Sequence, residues 1–210
     1  MRRYILPLII SLLAVVACAP KQNIDKRFDE GVSKELAEWR KATIHNVEYD
    51  LMFDLVANRG VAGVGFTLEK PQDIIIDFRR TELVTGVRMF DSNESVEYSL
   101  CNEHIVIPES ETRAGRQGFS IDFNVDNQSL NRRDEFLYTL LVPDRARTLF
   151  PCFDQPDMKA HYRLSLAIPE EWEAVSNTPV TTPEYDAESW YDLDFGHTLP
   201  EGMKIVSFAR

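Results

Sequence analysis

The chain has 210 residues, of which 44% are hydrophobic and 27% charged, and its formal net charge is −11. This composition excludes a largely disordered chain, and the length is sufficient for one large domain with a buried core. The acidic balance argues against a nucleic-acid-binding protein, because such proteins neutralise phosphates with lysine and arginine.

The first segment of the chain is short and apolar. Arg2 and Arg3 precede an almost entirely apolar run over residues 4–17. A basic start followed by a short apolar run is typical of a secretory signal, and a membrane span would need roughly 20 apolar residues. Residues 15–18, Val-Val-Ala-Cys, resemble the lipobox of bacterial lipoproteins. The sequence therefore predicts a lipoprotein signal peptide over residues 1–17 and lipid attachment at Cys18.

A lipid on Cys18 would tether the protein to a membrane surface without spanning it. This predicts a location in the bacterial cell envelope, at the periplasmic or outer-membrane face. An ordinary signal peptide with an incidental cysteine is the open alternative.

The next segment is polar and is followed by a helical pattern. The polar residues 18–32 are predicted to form a tether. Residues 33–40 predict a short amphipathic helix, with Ser33 as its N-cap and with Leu36 and Trp39 on one face.

From Ile44 onward the hydrophobic pattern alternates with a period of two, which is typical of strands with one buried face. Many short apolar segments separated by turn residues predict an all-β domain. We expect an antiparallel, saddle-like β-sandwich with one short N-terminal helix, over residues 33–210. The predicted strands are residues 44–55, 61–68, 74–78, 83–90, 96–100, 105–107, 119–125, 136–141, 160–168, 173–175, 190–195 and 204–208.

A stretch over residues 147–160 carries the most specific motif of the chain. Together with residues 44–54, 63–66, 164–169 and 174–179, it resembles the N-terminal domain of M1-family zinc aminopeptidases, the aminopeptidase N family. The resemblance covers residues 33–210 and implies a β-rich saddle that caps one side of an active site in the next domain. The motif residues are Arg147, Pro151, Cys152, Phe153, Asp154 and Pro156.

The resemblance implies zinc chemistry in that next domain, which in the family carries a His-Glu-x-x-His motif and a Gly-x-Met-Glu-Asn loop. Two histidines four residues apart on a helix can bind one metal ion, and the glutamate between them can activate a metal-bound water. Neither motif occurs in this chain, where none of His45, His104, His161 and His197 precedes a glutamate. We therefore expect that this chain binds no zinc and that zinc belongs to a missing catalytic domain. We also expect the fragment to be inactive alone.

Two apolar residues stand at positions where many relatives have polar ones. A Gln-x-Glu pair upstream of the equivalent of Arg147 lines the first specificity pocket in those relatives and helps to bind the substrate amine. Counting back places Leu140 and Val142 there, and their side chains cannot accept a hydrogen bond from an ammonium group. The resemblance makes them candidates for the pocket rim, and the alternative is that they are core residues of a strand.

The residue types of the motif favour a structural role over catalysis. Pro151 and Pro156 fix backbone angles, and Asp154 can accept backbone N–H bonds in a turn. Cys152 has an apolar setting that suits a small buried side chain, and Arg147 is expected to pair with a nearby acid. A disulfide between Cys152 and Cys101 is possible in an exported protein and stays open.

Two functions remain open from the sequence. The first is a capping and substrate-access domain of a zinc-dependent M1 aminopeptidase that removes N-terminal residues from peptides. The second is a stand-alone, lipid-anchored β-sandwich binding module without peptidase activity. The expected partners are peptide substrates and a membrane, and not nucleic acid.

Overall fold

The domain is built mainly from strands in the computed structural model, which describes residues 25–181, 191–192 and 194–209. One α-helix, α1 (Lys34–Thr43), precedes the strands. The strands are β1 (Ile44–Asp54), β2 (Arg59–Leu68), β3 (Ile74–Asp77), β4 (Val84–Met89), β5 (Ser99–Cys101), β6 (His104–Ile107), β7 (Gly115–Asn124), β8 (Leu130–Arg132), β9 (Leu137–Thr139), β10 (His161–Pro169), β11 (Val180–Thr181) and β12 (Met203–Phe208).

Seven of these strands form one large sheet in the order β11-β12-β10-β1-β2-β7-β4. A three-stranded sheet has the order β3-β6-β5, and β8 pairs with β9 alone. All neighbours in the large sheet are antiparallel except β1 and β10, which run parallel with Phe53 opposite Leu166. The all-β class with one short helix is confirmed, and this central parallel pair is the departure from a purely antiparallel sheet.

The main core lies between the large sheet and the three-stranded sheet. Alternate residues of a strand point to opposite faces, so each strand of the large sheet contributes one row of side chains to this inner face. Members of the core cluster include Leu51, Phe53, Val64, Phe66, Ile74, Ile76, Ile105, Ile107, Phe119 and Ile121. A second, smaller cluster covers the outer face of the large sheet and contains Met52, Val61, Ala167, Tyr191 and Phe195.

Helix α1 begins as the sequence predicts. The Ser33 hydroxyl accepts a hydrogen bond from the Leu36 amide at 3.1 Å, which is the geometry of an N-cap. The buried residues of the helix are Leu36 and Arg40, four positions apart, and Trp39 is only partly buried. A buried arginine on this face means that the helix packs through an ion pair as well as through apolar contacts.

Several local predictions are wrong. Residues 173–175 are not a strand, and β8 and β11 are strands that the sequence pattern does not predict. Residues 190–195 were predicted to form a strand, but the described residues Tyr191, Asp192, Asp194 and Phe195 are helical. Tyr191 and Phe195 are four positions apart, so one turn of helix places both rings on the outer face of the large sheet. Short apolar segments are ambiguous in this way, because their pattern fits both periods.

The predicted signal peptide, residues 1–17, and Cys18 lie outside the described residues. Part of the predicted tether is described and contacts the domain. The Arg27 guanidinium lies 5.1 Å from the centroid of the Trp39 ring, and Asn102 donates to the Phe28 carbonyl. Within the described ranges, no helix is long and apolar enough to cross a membrane.

Candidate functional site

The motif segment extends the three-stranded sheet. Cys152 lies beside Asp77 of β3 in an antiparallel bridge, with the Asp77 amide donating to the Cys152 carbonyl at 2.8 Å. The return bond, from the Cys152 amide to the Asp77 carbonyl, is 3.0 Å long. After Phe153 the chain turns, and Pro156 follows within this turn. The sheet therefore fixes the backbone of the motif on both sides of Cys152.

A buried carboxylate, Asp77, connects the motif to helix α1. Arg40 donates to both of its oxygens, at 2.6 Å and 2.7 Å, and the Asp154 amide donates to Oδ2 at 2.9 Å. His104 Nδ1 lies 2.9 Å from Oδ1, and the side chains of Arg40, Asp77 and His104 are fully buried. We call Arg40, Asp77 and His104 the buried triad.

The electrostatics of the buried triad favour an ionised carboxylate. Burial alone would raise the pKa of Asp77, because it removes the charge from water. The Arg40 charge and the hydrogen bonds from His104, Arg40 and the Asp154 amide outweigh that effect and hold the pKa of Asp77 below its usual range. The stabilisation that the buried triad provides therefore depends on the ionised form of Asp77.

Arg147 forms a second cluster at the start of the motif. Its guanidinium donates to both oxygens of Asp144 at 3.0 Å, and it also donates to Glu103. Burial tends to lower the pKa of this guanidinium, but the hydrogen bonds to Asp144 and Glu103 raise it overall. The Arg147 amide donates to Asp154 Oδ2 at 3.0 Å, so the two ends of the motif are tied together. Burial raises the pKa of Asp154, and the bond from Arg147 opposes that rise.

Cys152 and Phe153 lie in the core. Burial raises the pKa of the Cys152 thiol well above its ordinary value, so the thiolate that a nucleophile requires is disfavoured. Phe153 stands edge-on to Phe66 with centroids 6.1 Å apart, and the Arg40 guanidinium lies 5.3 Å from its ring centroid. The Phe153 amide donates to the Tyr49 hydroxyl oxygen at 2.8 Å.

Cys101 and Cys152 are both free. Cys101 pairs with His104, His104 pairs with Asp77, and Asp77 pairs with Cys152, so three strand spacings separate the two cysteines. At about 4.8 Å a spacing, they are roughly 14 Å apart. A disulfide needs Cα atoms within about 7 Å, so these cysteines do not pair in this fold.

The rim candidates lie on an exposed apolar patch. The side chains of Leu140 and Val142 are 48% and 82% exposed, and both residues follow the end of β9. The alternative that they are strand core residues is therefore wrong. Phe136 and Tyr138 are also exposed, and their ring centroids are 6.0 Å apart. We call Phe136, Tyr138, Leu140 and Val142 the apolar rim.

The apolar rim is connected to the Arg147 cluster through the chain between them. Arg145 donates to the Gln128 carbonyl at 2.8 Å, and its amide donates to the Leu141 carbonyl at 3.3 Å. The Leu140 amide donates to the Ser129 carbonyl at 3.2 Å. These three contacts, one from the Arg145 side chain and two between backbone groups, hold the chain that connects the apolar rim to the motif.

The described residues do not fit a zinc ion. Within residues 25–181, 191–192 and 194–209, no group of three or more His, Cys, Asp and Glu side chains is arranged to hold a metal ion. His104 is committed to Asp77 and to the Asp29 carbonyl, which lies 2.8 Å from Nε2. The described side chains of this region therefore form a packed structural contact in which opposite charges are paired.

Comparison with known proteins places the chain in a family. Residues 45–201 match the family described as the Peptidase M1 N-terminal domain. The glutamyl aminopeptidase of Rattus norvegicus is 26% identical over 211 aligned residues, which cover 83% of this chain and 22% of that protein. The chain thus spans about a fifth of the length of that relative.

Solved structures share the fold. The structure of Legionella pneumophila aminopeptidase A in complex with aspartic acid aligns with a TM-score of 0.59 at 13% identity, covering 79% of this chain and 19% of that one. The M1 zinc metallopeptidase from Deinococcus radiodurans aligns with a TM-score of 0.56 at 15% identity, covering 79% and 38% respectively. Since the family match extends over most of the described strands, the chain belongs to the Peptidase M1 N-terminal domain family.

Proposed function

We propose that this chain is the capping and substrate-access domain of a zinc-dependent M1 aminopeptidase that removes N-terminal residues from peptides. The observation that carries the proposal is the apolar rim, which exposes four large apolar side chains beside the family motif. Family membership supports the proposal. The alignment also covers only 38% of the Deinococcus radiodurans zinc metallopeptidase, so most of that protein lies outside the region that this chain matches.

The apolar rim suits contact with another protein surface. Exposed, contiguous apolar patches on soluble proteins mark interaction sites, because water contact with them is unfavourable. The hairpin of β8 and β9 that carries part of the apolar rim pairs with no other strand among the described residues. We propose that the peptidase domain packs here, with Leu140 and Val142 at the rim of the substrate pocket.

The motif residues have a structural role in this proposal. Arg147 and Asp154 hold the two ends of the motif, and Cys152 bridges to β3. Their contacts fix the backbone of the segment that follows the apolar rim along the chain. Catalytic groups and the zinc ion would come from the peptidase domain, so the chain alone is expected to be inactive.

The proposal is tested in the whole aminopeptidase of which we propose this chain to be one domain. Leu140→Asp combined with Val142→Asp is expected to lower kcat/KM on an amino-acyl chromogenic substrate at least about tenfold, because each buried, unpaired carboxylate costs more than about 1.4 kcal/mol. The 210-residue chain alone should show no cleavage.

Val175→Asp is the matched control, because Val175 is 94% exposed and lies outside the apolar rim. It should leave kcat/KM within about twofold of wild type, as is usual for isolated surface substitutions. Equal effects of the rim and control variants would contradict docking at the apolar rim. Zinc-dependent cleavage by the 210-residue chain would contradict the capping role.

We also propose that the protein is lipid-anchored through Cys18 in a bacterial cell envelope. The support is the basic start, the short apolar run and the lipobox-like residues 15–18. Labelled palmitate should enter the wild-type protein and the Cys101→Ser variant in a bacterial host, and Cys18→Ser should abolish labelling. Equal labelling of Cys18→Ser and wild type would refute the anchor.

A further inference from the structure

Strand β9, which carries part of the apolar rim, is bonded to β8 along one of its edges. The Leu140 amide donates to the Ser129 carbonyl at 3.2 Å, and the Phe136 carbonyl accepts from the Arg133 amide at 2.8 Å. Along an antiparallel pair, residues that bond to the partner alternate with residues whose N–H and C=O groups point away from it. Tyr138, midway between Phe136 and Leu140, therefore also bonds towards β8.

The backbone groups that point away from β8 belong to Leu137 and Thr139. In the part of the chain that the structure describes, β9 has no neighbour other than β8, and the outward N–H and C=O groups of these two residues have no hydrogen-bond partner. The next outward carbonyl, that of Leu141, accepts the Arg145 amide at 3.3 Å. We call the outward backbone groups of Leu137 and Thr139 the open edge.

Two comparable strand edges of the domain are covered. Ser95 bridges to Arg88 along the outer edge of β4, and Cys152 bridges to Asp77 along the outer edge of β3. Natural sheets cover or interrupt such edges, because an unpaired row of donors and acceptors pairs readily with another chain. The open edge has no such cover among the described residues.

The sequence of this strand does not interrupt pairing either. Residues 136–142 contain no charged residue, no glycine and no proline, although charges and prolines are the usual means of blocking an edge. Their side chains alternate in direction. The apolar rim lies on one face, while Leu137 and Leu141 pack against the main core from the other. The core therefore supports a strand that presents an apolar face and a polar edge side by side.

Burial of the apolar rim creates a need for partners at the open edge. A peptidase domain packed on the apolar rim would also remove water from the neighbouring backbone. Buried N–H and C=O groups are nearly always paired, because an unpaired one costs about as much as a lost hydrogen bond. The donors and acceptors of Leu137 and Thr139 are two residues apart, roughly 6.8 Å, which is the repeat of another extended backbone.

We propose that an extended segment of the peptidase domain pairs with the open edge and adds a strand to the sheet of β8 and β9. This inference rests on the proposed capping role and specifies how the two domains join. Backbone hydrogen bonds set the register of the contact, and the apolar rim supplies the side-chain contacts beside them. A peptide substrate or a second copy of this chain could also offer an extended backbone. The continuity of the open edge with the apolar rim favours the peptidase domain.

Amide hydrogen exchange at single-residue resolution tests the pairing, in the whole aminopeptidase and in a dilute sample of the 210-residue chain. In the chain alone, the amides of Tyr138 and Leu140 should exchange more slowly than that of Thr139, after correction for intrinsic rates. In the whole aminopeptidase the Thr139 amide should exchange at least about tenfold more slowly than in the chain alone, because its new hydrogen bond must open first.

Three results of the exchange measurement would overturn the proposal. The first is a Thr139 amide that exchanges equally fast in both proteins. The second is protection that appears only after a peptide inhibitor is added, which would assign the open edge to substrate. The third is protection that disappears on dilution of the whole aminopeptidase, which would assign it to a second copy.

A proline substitution tests the same bond through activity. Thr139→Pro removes an outward N–H and leaves the bonds to β8 in place, whereas Thr139→Val keeps the amide. In the whole aminopeptidase, kcat/KM on the amino-acyl chromogenic substrate should be at least about fivefold lower for Thr139→Pro than for Thr139→Val. In the chain alone, Tyr138→Pro should lower the melting temperature more than Thr139→Pro, because only Tyr138 bonds towards β8. If Thr139→Pro does not fold, the exchange measurement on the wild type decides.

The strand pairing and the capping role fail in different ways. If Leu140→Asp with Val142→Asp lowers kcat/KM while Thr139→Pro equals Thr139→Val, docking at the apolar rim stands and the strand pairing is wrong. If the double rim variant also matches its Val175→Asp control, the capping role is wrong as well.

Discussion

Asp77→Ala is expected to lower the free energy of unfolding by about 3–5 kcal/mol, because breaking a buried ion pair leaves its partner charged and uncompensated. In this variant the Arg40 guanidinium would lose both carboxylate bonds, and the Asp154 amide would lose its acceptor. Urea denaturation of the chain measures the change. Asp91→Ala is the matched control, since the Asp91–Arg113 pair is largely exposed and should contribute less than about 1 kcal/mol.

A paired replacement distinguishes loss of charge balance from loss of packing. Arg40→Leu with Asp77→Leu should be closer to wild type than either single replacement, because no unpaired charge remains in the core. A double variant that is as unstable as the sum of the two singles would contradict this account of the buried triad.

The same carboxylate sets a direction for acid sensitivity. The folded state holds the pKa of Asp77 below its usual range, so its stabilisation is fully present above the ordinary value of about 3.9. It is lost as the pH falls through the folded value. The difference in unfolding free energy between wild type and Asp77→Asn should therefore be constant above about pH 5 and shrink below about pH 4.

Phe153→Ala is expected to lower the free energy of unfolding by about 3–5 kcal/mol, the usual cost of deleting a buried aromatic ring. Phe153 is 4% exposed, and its ring contacts Phe66 and the Arg40 guanidinium. Phe153→Leu should cost less, because it leaves a smaller cavity. Thermal and urea unfolding of the chain provide the measurement.

Phe136→Ala is the control for ring deletion, because Phe136 is 58% exposed on the apolar rim. Its cost in the isolated chain should be below about 1 kcal/mol. If Phe136→Ala and Phe153→Ala destabilise the chain equally, the assignment of Phe153 to the core is wrong.

Local sequence patterns predicted those elements whose formation depends on residues close together in the chain. The alternation in β1 and β2 and the Ser33 cap of α1 are visible because strand period and capping depend on neighbouring residues. Tyr191 and Phe195 show the limit, since a short apolar segment fits a helical turn as well as a strand.

Partners that are distant in sequence could not be predicted. Arg40 and Asp77 are 37 positions apart, and Asp77 ends an apolar strand that gives no sign of a buried charge pair. The apolar character of Leu140 and Val142 likewise does not distinguish a core position from an exposed patch, because both place apolar residues in short runs.

The parallel pairing of β1 with β10 has a consequence for the order of folding during synthesis. Asp50 and Arg163, which face each other across this pair, are 113 positions apart. Until residues 161–169 have left the ribosome, the hairpin of β1 and β2 has one long unpaired edge at what becomes the centre of the large sheet. Such edges can pair with other chains. Nascent chains that pause before residues 161–169 emerge are therefore the most exposed to aggregation.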